Sequence, residues 1–366
     1  MTAGTHRAAV LCGLGGALPA TVVPNSALAA ELDTTDEWIR TRTGIRQRYV
    51  IAPGEATSDL AVAAGRRALE SARRAAADDT AAGDNKVAGD DTAAGGGTGE
   101  TGVDLVVLAT STPDRPCPAT APAVARRLGL TGVAAFDIGA VCTGFVYALA
   151  TAASMITAGA AHRALVIGAD TFSTILDPAD RTTRAIFGDG AGAVVLRAGD
   201  PEEPGALLGF DLGSDGAGEE LITVPAGGSR QRSTATPPPE RDRYFTMQGR
   251  AVFNEAVLSM SKSAESLLDR IGWRGTDLDR VVAHQANVRI LRAVGEQLGL
   301  PEDRLVINLD RVGNTVAGSI PLALAGAAAD GTLRPGDKVL LTGFGGGLTW
   351  GSAALRWPAP HVEPVA

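Results

Sequence analysis

The sequence has few cysteines, few histidines and few aromatic residues. Of 366 residues, three are cysteine: Cys12, Cys117 and Cys142. An odd number at unpatterned spacing excludes a disulfide-stapled secreted scaffold and indicates a reducing, cytoplasmic setting. The four histidines are His6, His162, His284 and His361. Neither they nor the cysteines recur at metal-ligand intervals, so no metal site is expected. Aromatic residues make up 4 % of the chain against 46 glycines and abundant alanine, a composition suited to helices packed closely on sheets. Basic residues are outnumbered. The formal net charge is -8 and no dense basic stripe occurs, which argues against nucleic acid as a partner. No uninterrupted apolar run is long enough to span a bilayer, so a membrane is not expected as a partner either. The opening "HRAAVLCGLGGALPA" carries a weak signal-peptide pattern. Gly13, Gly15 and Gly16 break its apolar stretch, and a buried first strand followed by a turn fits it better.

A chain of this length buries a sizeable core and suggests two or more structural units. Residues 77–102, "ADDTAAGDNKVAGDDTAAGGGTGETG", lack large apolar side chains and read as an exposed insertion that burial cannot order. Residues 227–243 are polar and Pro-rich and read as a loop. Elsewhere short apolar runs alternate with helical stretches. "DLVVLATS", "AAFDIGAV", "RALVIGAD" and "GAVVLRAG" are strand candidates, followed later by "DRVVAHQ", "DRLVINL", "KVLLTGF" and "SAALRW". The pattern predicts an α/β protein with buried, partly parallel strands. Three blocks recur in order. A helix followed by "GVDLVVLATSTP" parallels a helix followed by "DLDRVVAHQAN"; "FDIGAVCTGF", a small-residue helix and "RALVIGAD" parallel "INLDRVGNTVAG", a small-residue helix and "DKVLLTGF"; and "FGDGAGAVVLRA" parallels "FGGGLTWGSAALRW". The repeat suggests two similar halves, 1–205 and 206–366. Packed face to face, they bring Cys142 of the first opposite His284 and Asn314 of the second.

Cys142 follows a strand and precedes a helix, where the helix dipole and free N–H groups lower a thiol's pKa and favour the nucleophilic thiolate. A buried core cysteine fits the same local evidence. His284 directly follows a strand in "VVAHQANVRI" and is the best placed of the four histidines; a satisfied structural histidine is the competing reading. Asn314, in "DRVGNTVAG", fits turn and cap chemistry equally well. The glycines of "GFGGGLTWG" can aim N–H groups at an oxyanion or merely connect two strands. "GLGGAL" fails as a dinucleotide-binding fingerprint because Leu18 stands where the third glycine belongs. Cys, His and Asn together are the residue types of nucleophilic acyl chemistry, although the papain-type local motif is absent.

Six ordered segments, "TTDEWIRTRTGIRQR", "FDIGAVCTGFVYAL", "IFGDGAGAVVL", "VVAHQANVRIL", "DRVGNTVAGSIPLAL" and "GFGGGLTWGSAAL", resemble β-ketoacyl-acyl-carrier-protein synthase III of the thiolase superfamily. The resemblance spans about residues 8–357. It implies a thiolase fold, two similar α/β halves in a layered αβαβα arrangement, and a homodimer. It also implies a condensing enzyme that primes fatty-acid or aromatic polyketide synthesis. Cys142 would take the acyl group from acyl-CoA, with the N–H groups of Cys142 and Gly346 as oxyanion hole. His284 and Asn314 would stabilise the enolate left when malonyl-acyl carrier protein loses CO₂. Trp38, Arg42 and Arg181 match residues that hold CoA; Gly249, Phe253, Ala286 and Asn287 match the pantetheine channel; Arg289 matches a carrier-docking arginine. Cys117, on a loop that closes the partner's acyl pocket in the family, and Phe187 match acyl-pocket positions. CoA serves as substrate, and no cofactor is implied.

Departures from the family pattern bear on specificity. Asn254, Glu296 and Gln297 stand where many members carry lysines, which thins the carrier-docking patch. Cys117 stands where acetyl-specific members often carry Phe, and a smaller side chain leaves a longer pocket, so a starter larger than acetyl is expected. A non-decarboxylating acyltransferase on the same fold is the alternative, and a non-enzymatic scaffold subunit a third reading. Retention of Cys142, His284 and Asn314 favours condensation.

Overall fold

The computed structural model describes residues 7–81, 101–234, 236–358 and 360–365. Most of the 77–102 insertion lies outside the described residues. In chain order the strands are β1 (Ala8–Ala17), β2 (Thr21–Pro24), β3 (Gln47–Val50), β4 (Leu105–Ala109), β5 (Ala134–Ile138), β6 (Arg163–Asp170), β7 (Gly190–Gly199), β8 (Leu207–Ser214), β9 (Ile222–Thr223), β10 (Thr246–Met247), β11 (Arg280–Ala283), β12 (Lys338–Gly345) and β13 (Thr349–Arg356). A five-stranded sheet has the order β1-β7-β6-β4-β5, and a four-stranded sheet the order β11-β12-β13-β8. In the first, β4 runs parallel to β5 and β6, and β7 runs antiparallel to β6 and β1. In the second, β11 runs parallel to β12, and β13 antiparallel to β12 and β8. The two sheets therefore repeat one wiring.

The layers are helix, sheet, helix, sheet, helix. Helices 57–81 and 121–127 cover the outer face of the first sheet, and helix 249–271, with 288–297 beside it, covers the outer face of the second. Between the sheets lie Gly144–Thr157 and Ser319–Ala329, composed mainly of small apolar residues. A helix enclosed on all sides must be apolar all round, and small side chains let both sheets approach it. The central core accordingly joins Leu105, Val107 and Val194 of one sheet to Val282, Val339 and Leu341 of the other around Phe145, Leu149 and Leu324. The "GLGGAL" glycines serve packing. A Cβ on Gly13 would stand 2.5 Å from the Ala68 carbonyl oxygen and one on Gly15 2.5 Å from the Ala68 nitrogen, so β1 lies directly on helix 57–81. Among the described residues no helix is long and apolar enough to cross a membrane.

One strand candidate is corrected. "DRLVINL" forms no strand; only a parallel bridge, Val281↔Leu305, marks the place that β5 holds beside β4 in the first sheet. The reason is the Gln285 side chain. Its amide donates to the Val306 carbonyl (3.0 Å) and accepts from the Asn308 N–H (3.0 Å). One buried amide thus takes the backbone bonds that a ladder would otherwise use. Helix Leu309–Val312 then begins at once.

Candidate active site

After β5 the chain enters a 3-10 turn, Val141–Thr143, that runs straight into helix 144–157. Val141 holds φ at 46°, a left-handed conformation costly for a β-branched residue and kept only where the surroundings fix it. Here the fixing groups are side-chain bonds to the second sheet. Thr143 donates to the Thr349 carbonyl (3.1 Å), and Thr349 donates to the Ala140 carbonyl (3.2 Å). Cys142 is buried in the turn. The expected fall in its thiol pKa is not met. Burial pushes the thiol strongly up, the Asp170 carboxylate adds to the rise, and only the residue's own N–H opposes them. Desolvation of the charged form outweighs the helix end.

His284 follows β11 and is buried, its N–H bonded to the Thr342 carbonyl (2.8 Å). Burial pushes its pKa down to about 3, so the ring is neutral near pH 7. Its Nδ1 lies 2.7 Å from Ser319 Oγ, which also accepts from the Gln285 N–H (3.4 Å). A Ser319 hydroxyl that donates to Nδ1 places the ring hydrogen on Nε2. Asn314 forms a bridge with Phe187, and its Oδ1 accepts from the Val316 N–H (2.9 Å), leaving its NH₂ as the free end. Cys142, His284 and Asn314 line one cavity. Gly343 lies between the first two: a Cβ there would stand 3.7 Å from both the Cys142 carbonyl oxygen and His284 Cβ.

Of the glycine run, Gly345 is the residue packed on the cysteine. A Cβ on it would stand 2.8 Å from the Cys142 nitrogen, while the same atom on Gly346 would meet Ile222. Gly346 is buried one residue further on.

Phe187 lines the cavity as expected, together with Phe172 and Phe245. The three rings pack against one another with centroids 4.6, 4.9 and 5.0 Å apart. Sequence reading missed Phe172 and Phe245. Phe172 lies just past the end of β6, a place where site residues gather; nothing local marked Phe245. Cys117 is exposed on the surface of the single chain and lies outside this cavity.

At the outer end, Trp38 sits on helix Asp36–Thr43, started by Thr35, whose Oγ1 accepts from the Trp38 N–H (3.0 Å), and ended by Gly44 at φ 85°. Arg42 and Arg181 lie over its ring at 4.9 and 5.3 Å, so the structure brings these three together. Arg181 is also ion-paired to Asp33 (3.1 Å). Ala286 lines the cavity, Phe253 lies under the exposed Arg289 (5.8 Å), and Gly249 opens helix 249–271. Asn287 caps helix 288–297 and donates to the Arg42 carbonyl (3.0 Å), which ties that helix to the one carrying Trp38. Asn254, Glu296 and Gln297 are exposed. Among the described residues no group of acidic, histidine and cysteine side chains fits a metal ion.

Residues 136–216 match the family described as 3-oxoacyl-[acyl-carrier-protein] synthase III, and residues 268–357 match its C-terminal counterpart. The chain is 60 % identical to β-ketoacyl-[acyl-carrier-protein] synthase III 5 of Streptomyces coelicolor, over 96 % of this chain and 98 % of that protein. It is 56 % identical to β-ketoacyl-[acyl-carrier-protein] synthase III of Pseudomonas aeruginosa, over 96 % and 97 %. The crystal structure of 3-oxoacyl-(acyl carrier protein) synthase III from Pseudomonas aeruginosa superposes with a TM-score of 0.83 at 54 % identity, covering 98 % of this chain and 100 % of that one. The priming β-ketosynthase of the R1128 polyketide biosynthetic pathway superposes with 0.85 at 31 % identity, covering 99 % of each.

Proposed function

The chain belongs to the β-ketoacyl-[acyl-carrier-protein] synthase III family, and on that premise we propose that it moves an acyl group from acyl-CoA to Cys142 and condenses it with malonyl-acyl carrier protein. The observation that carries this reading is one cavity lined by a buried thiol, a neutral histidine whose Nδ1 is paired with Ser319, and an amide whose Oδ1 is held by the Val316 N–H.

In the first step the Cys142 sulfur attacks the thioester carbonyl, the bond to the CoA sulfur breaks, and the thiol proton leaves with CoA. A thiol held neutral needs that proton moved within the step rather than beforehand. The N–H groups of Cys142 and Gly346 carry the oxyanion. In the second step the malonyl thioester binds with its carbonyl oxygen toward His284 Nε2 and the Asn314 amide. Loss of CO₂ leaves an enolate held by two neutral donors. Its carbon then attacks the acyl-cysteine, a carbon–carbon bond forms, and the Cys142 sulfur is released to recover a proton. A histidine that stays neutral donates without holding a formal charge against the enolate.

CoA is read onto Trp38, Arg42 and Arg181, the adenine taking the place of one guanidinium over the indole. Arg suits the phosphates because its charge and planar fork are permanent. Phe253, Gly249, Ala286 and Asn287 are read as the pantetheine channel, and Arg289 as the main contact for the carrier protein. A homodimer is proposed from β5. It is an edge strand, and its Phe136 and Ile138 are only partly buried, an edge that a second copy would cover. In that dimer Cys117 faces the partner's pocket, and its small side chain goes with a starter longer than acetyl. Competition between acetyl-CoA and C4–C8 acyl-CoAs reads this out, and a clear acetyl preference rules it out.

The test of the whole reading follows both half-reactions. Acylation at Cys142 is read by intact mass, and CO₂ release from malonyl-carrier by radiolabel. Both are expected. Acylation without CO₂ release identifies a plain acyltransferase, and no acylation identifies a scaffold subunit.

A further inference from the structure

Asp170 is the last residue of β6 and is fully buried, yet the two-step reaction above does not use it. Its two oxygens face different halves of the molecule. Oδ1 accepts from the Ser111 N–H (2.7 Å) and from the hydroxyls of Thr112 (3.2 Å) and Thr110 (3.4 Å), all on the segment after β4. Oδ2 accepts from the Ala317 N–H (3.0 Å), in the 3-10 turn Val316–Gly318 of the other half. Burial pushes its carboxyl up to about 7, and among the described residues it forms no ion pair with a basic side chain. An acid left unpaired in a core at the cost of desolvation needs a reason.

The turn that Asp170 holds is strained and central. Val316 takes φ 51°. Its N–H is the anchor of the Asn314 Oδ1, and the next N–H in the chain, that of Ala317, is the one Asp170 accepts from. The turn also presses on both neighbours of the site. A Cβ on Gly168 of β6 would stand 2.2 Å from the Ala317 carbonyl oxygen, and one on Gly144, two residues past the nucleophile, would stand 3.6 Å from Ala317 Cβ. Released from Asp170, the Ala317 N–H has no other acceptor among the described residues, and the residue after the left-handed valine loses its hold. The Asn314 anchor is the first contact that would then drift.

We propose that Asp170 is a positioning residue for the condensation step: a buried carboxyl that fixes the Val316–Gly318 turn through its hydrogen bond to the Ala317 N–H and, through Val316, aims the Asn314 amide at the enolate oxygen. It touches no reacting atom. This role rests on the condensation chemistry proposed above, and its signature is a split between the two half-reactions, because Asn314 serves only the second.

The test is Asp170→Asn in the full chain, with thermal unfolding recorded alongside. Malonyl-carrier decarboxylation is expected to fall in kcat by about 10²-fold, the scale of a misplaced catalytic group. KM for malonyl-carrier is expected to stay within about twofold, and Cys142 acylation is expected not to slow, because loss of the Asp170 charge only relieves the rise in the thiol's pKa. A folded Asp170→Asn protein that slows both half-reactions equally, or neither, overturns the proposal. Thr112→Val, which removes one donor to Oδ1 and keeps the charge, covers the case in which the first variant does not fold. It is expected to show the same split at a few-fold size, and an equal loss in both half-reactions counts against positioning. Wild-type protein that releases no CO₂ overturns the functional reading, and the positioning role with it.

Discussion

The turn at Cys142 and the turn at Ala317 occupy matching places in the two sheets' wiring, and they differ in one instructive way. Each is a three-residue 3-10 turn opened by a valine in the left-handed region, and each runs into a buried central helix. The strands that pack behind them, β6 and β12, are both eight residues long. Where β6 ends in Asp170, β12 ends in Gly345. The carboxylate of Asp170 fills the space before the Ala317 N–H. Gly345 brings only backbone to the Cys142 nitrogen. One turn therefore has its amide taken by an internal carboxyl, and the other leaves its amide for an anion that forms during reaction. Two matching turns of a duplicated scaffold have become a structural turn and a chemical turn through a cysteine, an aspartate and a glycine.

The largest test of that contrast exchanges the nucleophile. Cys142→Ala is expected to abolish acyl-enzyme formation, a loss on the order of 10³-fold or more, read by intact mass after incubation with acyl-CoA. Adding Ala317→Cys to that variant places a thiol in the twin turn, where Asp170 already holds the amide, and it is expected to remain unacylated. Acylation of the double variant at its introduced thiol would erase the distinction between the turns.

Next in size is Gly345→Ala. The new Cβ falls 2.8 Å from the Cys142 nitrogen, so the N–H is displaced and acylation is expected to drop by about 10²-fold, as when an oxyanion donor is lost. Unchanged single-turnover acylation in a folded protein would mean that this amide does not serve the oxyanion.

His284 and Asp170 give a pH test with opposite signs. His284 is held neutral to about pH 3 in the fold against an ordinary value of 6.5. The unfolded chain therefore takes up a proton that the folded chain refuses. Stability from this source is present above pH 6.5 and drains as pH falls toward 3, by at most about 1.4 kcal/mol per pH unit. Asp170 has the reverse slope. Its carboxyl is raised from 3.8 to about 7, so the fold binds the extra proton and is favoured toward lower pH across that window. The difference in urea-unfolding free energy between wild type and His284→Asn cancels the Asp170 contribution. It is expected to narrow from pH 7 to pH 4.5, and a difference that stays flat would show that His284 titrates normally. Smallest is Trp38→Ala, which removes the ring beneath Arg42 and Arg181. KM for acyl-CoA is expected to rise about tenfold with kcat nearly unchanged, on the scale of one stacked aromatic contact; a fall in kcat alone would move Trp38 out of the CoA site.

Most strands are legible in the sequence because buried strands are short apolar runs. The exception, "DRLVINL", has the same pattern and is diverted by Gln285, a polar side chain from another segment whose two bonds no local pattern encodes. The same holds at the site. Cys142, His284 and Asn314 stand at marked junctions, whereas Ser319 and Asp170 act through bonds that cross between segments far apart in sequence. The thiol departs from expectation for a related reason: a helix start is visible in sequence, but the desolvation that outweighs it is a property of both halves closing over one atom. Phe245 reaches the pocket from beside a Pro-rich region that reads as loop, and only packing with Phe172 and Phe187 makes it part of the wall.

The buried thiol has a further consequence, for endurance rather than turnover. Oxidants attack sulfur in proportion to its thiolate character and exposure. Cys142 has little of either at rest. Its reactivity is conferred by the arriving thioester, so the nucleophile is kept in storage between turnovers and spared the slow peroxide damage that a permanently ionised cysteine would accumulate.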